Sequence, residues 1–413
     1  MSTLTPPTIP NLFSADVTQD PYSAYRTLRQ LGPVYDDAND LWILSRHADV
    51  LQALHQPTVF SSAGGYGQFM SGGIGPAGGS DRAGVLGFDQ VGGSRVMIAS
   101  DPPDHTMLRR IVSRPFTKRR IAEWDEMARR LAATLVDGLV ERIRGEGAAD
   151  FTKELAIPLP VTLIAEILGI PPSQMQDFRR WSDALVGSLA ADIDVARVGA
   201  DLAEMFQYFW AIAEQRREAP GDDLISAIAV ATPDGEQLST TEVVMFCVLL
   251  LVAGNETTTN LLGNLQHAFW DHPDQWRRVR DDRSLTPAAV EEALRYCGPV
   301  QGLFRRTTEE TTVCGTEIPA AQNVCVLFAS ANRDEDVFDD PGRYLIGRPD
   351  GDHVAFGHGI HYCLGAQLAR LETRVVLDTL VDRQVDLEPA GPAVRTANTV
   401  LQGYKSIPVT IAR

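Results

Sequence analysis

Residues 356–365, FGHGIHYCLG, decide how this chain reads. One cysteine, Cys363, stands among Gly357, Gly359 and Gly365, with His358 and His361 on its approach. Glycine loses more backbone freedom on folding than any other residue and makes a poor helix interior, so such a run implies that something comes close to the backbone. A metal-binding cysteine works as a thiolate, and amides of a glycine-rich turn can hydrogen-bond the sulfur without side-chain obstruction. The following stretch, LGAQLARLETRVVLDTL, has helical periodicity, which aims a helix N-terminus at the sulfur and favours the anion. The other cysteines, Cys247, Cys297, Cys314 and Cys325, lack the short spacings of a zinc site or a disulfide framework. Heme needs only one axial thiolate, so this pattern points to heme.

Composition sets the frame around that loop. The chain has 413 residues, 44% hydrophobic and 22% charged, enough to bury a large core. No low-complexity linker, repeat or long charge block marks a boundary, so a single domain over 1–413 is expected. A net charge of -17 argues against a nucleic-acid partner. Reduced thiols and an N-terminus without a signal peptide fit a cytoplasmic protein. The most apolar run, VVMFCVLLLVAG at 243–254, is too short for a bilayer and reads as a buried helix ending at NETTTN, with no membrane partner. The absence of coiled-coil heptads favours a monomer.

Periodicity fills in the elements. DPYSAYRTLRQLG reads as a helix, and PVYDDANDLWILS as two short strands around a polar turn. The segment from about 62 to 93 is dense in glycine and predicts a flexible loop over a substrate entrance. DPPDHTMLRRIVSRPFT opens with a turn and carries a helix, and from about 119 to 295 long periodic stretches are mostly helical. TTVCGTEIPAAQNVCVLFASANRD and NTVLQGYKSIPVTIA alternate and read as strands. The class is mainly α with minor β, the β-rich parts coming from about 1–60, 300–330 and 395–413.

Phe356, Gly359, Cys363 and Gly365 at this spacing resemble the heme-binding loop of the cytochrome P450 monooxygenases, and further matches run in order through nearly the whole chain. The resemblance implies a triangular helix-rich domain with a small β-sheet region, heme b as cofactor, and Cys363 as the iron ligand with Gly357 in its loop. AGNETT, Ala253 to Thr258, resembles the family's acid–alcohol pair, which interrupts a long helix and brings protons to dioxygen. Those roles fall on Glu256 and Thr257, with Ala253 and Gly254 beside the heme face. Glu292 and Arg295 in EEALRY share a helix face. In the family such a pair joins a later arginine, for which DPGRY offers Arg343, in a structural trio. Cations for the heme carboxylates are expected from His105, Arg109, His361 and, counting back from the GTEIP turn, Arg305 rather than Arg306.

The resemblance further implies insertion of one oxygen atom of O2 into an apolar organic substrate, by hydroxylation or O-dealkylation. By family position the pocket is lined by Val252, Ala253, Val300, Leu303, Val400 and Leu401. Terpenoids, steroids, polyketides, aromatic ethers and aromatic acids all remain open. The chain carries no flavin or iron–sulfur module, so a separate ferredoxin with its reductase must supply electrons. A docking patch for it is expected on RRIVSRPFTKRR, through Arg109, Arg110, Arg114, Lys118, Arg119 and Arg120. Two rival readings are a peroxide-driven heme peroxygenase, which has no need of the acid–alcohol pair, and a non-catalytic heme sensor.

Overall fold

The computed structural model describes residues 9–65, 95–113, 118–187, 194–232, 235–349, 352–396 and 398–412, without the side chains of Lys118 and Val195. Most of the glycine-dense segment and Arg114 therefore lie outside the described residues.

Helices dominate. The first three are α1 (Ala15–Gln19), α2 (Tyr22–Leu31) and α3 (His47–His55). The helix expected after DPPD is α4 (Asp104–Ser113), followed by α5 (Lys118–Glu146), a π-helical turn at Thr152–Ala156, α6 (Pro158–Leu168) and α7 (Met175–Gly187). Then come α8 (Val195–Glu218), α9 (Leu224–Ala229), α10 (Thr240–Asp271), α11 (Pro273–Asp281), α12 (Thr286–Cys297), α13 (Phe328–Ala331) and α14 (Ala366–Asp382).

Helix α10 departs from the sequence reading. Its start is fixed by a capping box, in which the Ser239 hydroxyl accepts from the Glu242 amide while the Glu242 carboxylate accepts from that of Ser239. It then runs 32 residues to Asp271, so AGNETT sits in its middle and not at its end. The cause is the later stretch LLGNLQHAFW, where apolar residues resume: Leu261, Leu262, Leu265, Ala268 and Phe269 are all buried. The helix is long enough to cross a bilayer, but more than half of its most apolar stretch is buried inside the fold, as befits a core helix. One core gathers Val243, Cys247, Val248 and Leu251 of α10 with Leu139 of α5, Leu163 of α6, Phe178 of α7, Phe209 of α8 and Leu371 of α14. A second joins the C-terminal half of α10 to α11, α12 and α14.

The β part begins with β1 (Val34–Asp36), β2 (Leu41–Leu44) and β3 (Phe60–Ser61). With β5 (Leu303–Thr307) and β8 (Asn323–Val326) they form one sheet of order β1-β2-β8-β5-β3. Alternation divides it between two apolar layers. Leu41, Ile43, Phe304 and Cys325 pack with Tyr25 and Leu28 of α2. Leu44, Val324 and Val326, with Trp42 and Leu303, pack with Val50, Ala53 and Leu54 of α3. Arg305 falls on the α3 side of the strand and is buried at 6% exposure, whereas Arg306 lies on the other side and donates to Asn323 Oδ1 at 3.0 Å. A separate sheet pairs β12 (Pro408–Ile411) with β9 (Leu387–Pro389) and β4 (Ala149–Asp150). Strands of two or three residues such as β4 and β9 are too short to show a period in the sequence.

The trio on α12 is corrected in one member. Arg295 donates to Glu292 through Nη2 to Oε1 at 2.7 Å and Nε to Oε2 at 2.8 Å, both side chains being buried. The third cation is Arg348, with Nε 3.2 Å from Glu292 Oε1, while the exposed side chain of Arg343 lies 3.8 Å from Asp274. Arg343 contributes its carbonyl, which accepts from both Arg295 and Arg348. The six residues from 343 to 348 turn the chain, so the later arginine reaches the buried carboxylate.

Candidate heme site

Cys363 lies at the head of α14, partly buried, and its amide donates to the Phe356 carbonyl at 2.9 Å, closing the loop. Burial pushes its thiol up, while the Gly365 amide, Arg109 and Arg370 pull it toward the thiolate. Gly359 cannot be replaced in this turn, since its φ is +68° and a Cβ would stand 2.5 Å from the Leu54 carbonyl at the end of α3. Arg370 lies 4.6 Å above the Phe356 ring and is held by Glu291 at 2.6 Å. His353 contacts the same carboxylate at 3.1 Å, which with Arg370 holds it down to about 2 against the opposing effect of burial.

Next to the loop the fold assembles polar groups with little to bind. The rings of His105 on α4 and His361 are 4.2 Å apart. His105 is buried with both ring nitrogens unpartnered, and His361 Nε2 is buried and unpartnered as well. Burial, then the neighbouring charge of Arg305, lowers the His361 imidazole to about 3. Burial also lowers the Arg305 guanidinium to about 10, and the hydrogen bond it makes among the described residues is to the carbonyl of Phe304 at 2.8 Å. Arg109, half-buried, is lowered by burial and raised by the nearby Cys363. Buried cations and orphaned imidazoles beside a cysteine are costly unless an anion meets them. A planar group with a metal at its centre and carboxylates on its rim meets both needs, so these residues fit a heme.

On α10 the acid–alcohol pair stands in unbroken helix, where the expected interruption does not occur. Thr257 donates its hydroxyl to the Ala253 carbonyl at 2.8 Å, a bond within the helix that leaves the ladder intact. Ala253 is exposed although its helix neighbour Leu251 is fully buried, so this turn of the core helix has one accessible face. Glu256 is 9% exposed with Oε2 unpartnered, and burial raises its carboxyl to about 7, opposed only by the neighbouring Asn260 side chain. Gly254 faces Ile164 of α6.

Two further expected stretches meet in the fold. Val300 bridges Leu401, and the Gln301 amide donates to the Val400 carbonyl at 2.8 Å. Val300, Leu303, Val400 and Leu401 stay partly exposed, as does Val252 on α10. Gln301 is buried and faces away, bonded to Tyr25 at 3.1 Å and the Gly298 carbonyl at 3.0 Å.

The basic stretch is divided in the fold, with Arg110 exposed and Arg114 and the Lys118 side chain outside the described residues. Arg109 turns inward toward Cys363, Arg119 pairs with Glu123 at 3.0 Å, and Arg120 pairs with Glu123 at 3.4 Å and with Asp222. Sequence reasoning missed Arg348, Arg370 and Asn255, whose partners lie far away along the chain.

Known proteins point the same way. A family model described as Cytochrome P450 matches residues 161–391. The chain is 38% identical over 411 residues to Cytochrome P450 107B1 of Saccharopolyspora erythraea, covering 97% of this chain and 98% of that protein. It is also 38% identical over 414 residues to the vitamin D(3) 25-hydroxylase of Pseudonocardia autotrophica, covering 97% and 96%. Among solved structures, that of CYP109E1 from Bacillus megaterium in complex with corticosterone matches with a TM-score of 0.81 at 32% identity, covering 96% of this chain and 99% of that one. A cysteine in a glycine-rich loop, buried arginine beside it and an acid in the core helix thus belong to a monooxygenase with heme b, and the chain is a member of the cytochrome P450 family.

Proposed function

We propose that the protein hydroxylates or O-dealkylates a neutral, apolar, multi-ring molecule of steroid-like size, taking electrons from a ferredoxin in the cytoplasm as a monomer. Bound heme b supplies the activation of dioxygen. In the overall reaction the substrate C–H, one O2, two electrons and two protons give C–OH and water.

The chain's own residues divide the remaining work. Cys363 is the iron ligand, its anion favoured by the Gly365 amide and by Arg109 and Arg370. His105, Arg109, Arg305 and His361 bind the heme carboxylates, and Phe356 and the glycines shape the loop. Glu256 and Thr257 pass protons from the interior toward the accessible face at Ala253. The observation that carries this reading is Glu256, a buried carboxyl raised to about 7 with a free oxygen, one residue from Thr257. A group with that proton affinity both gives and regains a proton near neutrality. The same pair disfavours a sensor or a peroxide-driven enzyme, neither of which has a task for it.

Neutrality of the substrate is supported by the candidate lining residues Val252, Val300, Leu303, Val400 and Leu401, which carry no charge, while Gln301 between them is turned away. The vitamin D(3) and corticosterone named for relatives supply the size class. The test is a carbon monoxide difference spectrum of the reduced protein and of Cys363→Ala, followed by a spin-shift screen with steroids, terpenoids, polyketides and benzoates. Loss of the thiolate spectrum in the variant and shifts with neutral polycyclic compounds are expected. An unaltered spectrum, or a response to benzoates alone, refutes the proposal.

A further inference from the structure

The turn that bears Glu256 is fastened from behind by a buried polar chain. Asn255 is 5% exposed, and its Nδ2 donates to the hydroxyl of Ser182 on α7, itself 1% exposed. Its Oδ1 lies 3.5 Å from Thr259 Oγ1, whose one hydroxyl proton goes to the Ala156 carbonyl in the π-helical turn at 3.0 Å. Two side chains on one face of α10 thereby tie it to two other segments, the carboxamide of Asn255 to α7 and the hydroxyl of Thr259 to the π-helical turn.

The placement has a direction. Asn255 and Thr259 are four apart and share a face of α10. Ala253 and Thr257 share another, and two helical steps separate the faces by about 200°. The back of the helix is tied to α7 and to Ala156, while the front carries the Ala253 carbonyl and the Thr257 hydroxyl. The helices around it are apolar, with Phe178 of α7 and Ile164 of α6 both in the main core. A buried amide here is therefore a fixing device more than a packing one.

We propose that Asn255 is a positioning residue for oxygen insertion. Through Ser182, and beside the tie of Thr259 to Ala156, it fixes the rotation of the Ala253–Thr257 turn, so that the Glu256 carboxyl and the Thr257 hydroxyl stay aligned for proton transfer. When that turn drifts, protons arrive out of step, and the two electrons and two protons reduce O2 to hydrogen peroxide instead of supporting insertion into C–H. The inference rests on the proton role proposed for Glu256 and Thr257.

The experiment compares Asn255→Leu, Ser182→Ala, Ser182→Thr and the double variant Asn255→Leu/Ser182→Ala as holoenzymes. Product formed per reduced nicotinamide, hydrogen peroxide released, and amide hydrogen exchange across residues 252–258 are measured, with a steroid from the spin-shift screen as substrate. In Asn255→Leu and Ser182→Ala, product per nicotinamide should fall about tenfold, a loss typical of misplaced reacting groups. Peroxide should make up the difference, exchange should quicken, Ser182→Thr should stay near wild type, and the double variant should match the worse single. Wild-type coupling and exchange in Ser182→Ala overturn the inference even if Asn255→Leu fails to fold. Full coupling in Thr257→Ala would instead sink the proton reading, leaving the exchange result to stand on its own.

Discussion

Glu256 is a carboxyl whose protonation the fold itself sets. Burial raises it from an ordinary 4.5 to about 7, since Oε2 is left unpartnered and the nearby Asn260 side chain offsets little of the cost. A raised acid binds its proton more tightly in the folded chain than in the unfolded one. Stability from this group is therefore greatest below the unfolded value, and it declines as pH climbs from about 4.5 through about 7. The full span corresponds to about 3 kcal/mol. Glu256→Gln removes the proton while keeping the shape. Urea midpoints of the two proteins should diverge across that window, the variant gaining relative to wild type as pH rises. Parallel curves would mean that Glu256 titrates at the same pH in the folded and unfolded chains, so that burial does not raise it. The same variant should lose the activity limb that titrates near neutrality.

At the scale of elements, the Glu292 cluster shows what a folded chain decides after the sequence has offered a choice. Arg348 is 6% exposed in its side chain, bonded to Glu292 and to the carbonyls of Asp339, Asp340 and Arg343, whereas Arg343 is 53% exposed beside Asp274. Glu292 keeps Arg295 but loses a buried cation that also donates to three carbonyls, so Arg348→Ala should lower unfolding stability by about 2 kcal/mol. Arg343→Ala breaks only an exposed pair, and less than about 1 kcal/mol is expected. Equal losses by denaturant unfolding would refute the assignment. The family pattern in the sequence asked for a later arginine, but it did not say which one turns inward, because that depends on how residues 343–348 bend. Residues tied to local spacing were legible for the opposite reason. Cys363 and its glycines, the pair Glu292 and Arg295, and the choice of Arg305 over Arg306 follow from turn chemistry, helical period or strand alternation. Asn255 was not legible, since an asparagine inside a helix acquires its meaning only from Ser182, 73 residues earlier. Gly403 is similar: its lack of a side chain makes room for Asn260, whose Oδ1 would stand 2.0 Å from a Cβ there.

Across the whole molecule, charge sets how an electron donor arrives. The chain is acidic at -17, and its most basic stretch looked suited to steer an acidic ferredoxin. Folding spends much of that charge on internal pairs. Arg109 faces the Cys363 loop, and Arg119 and Arg120 lie against Glu123 and Asp222. An arginine with a carboxylate neighbour projects little field beyond a Debye length of about 8 Å at physiological salt. The double variant Arg119→Ala/Arg120→Ala should therefore change the second-order rate of reduction by ferredoxin by less than about twofold, far below the range that electrostatic steering spans. Its dependence on ionic strength should parallel that of wild type. Stopped-flow reduction under carbon monoxide at several salt concentrations measures both. A tenfold drop with a flattened salt dependence would show that these two arginines leave their acidic partners when the donor docks, and that the patch read from the sequence forms in the complex.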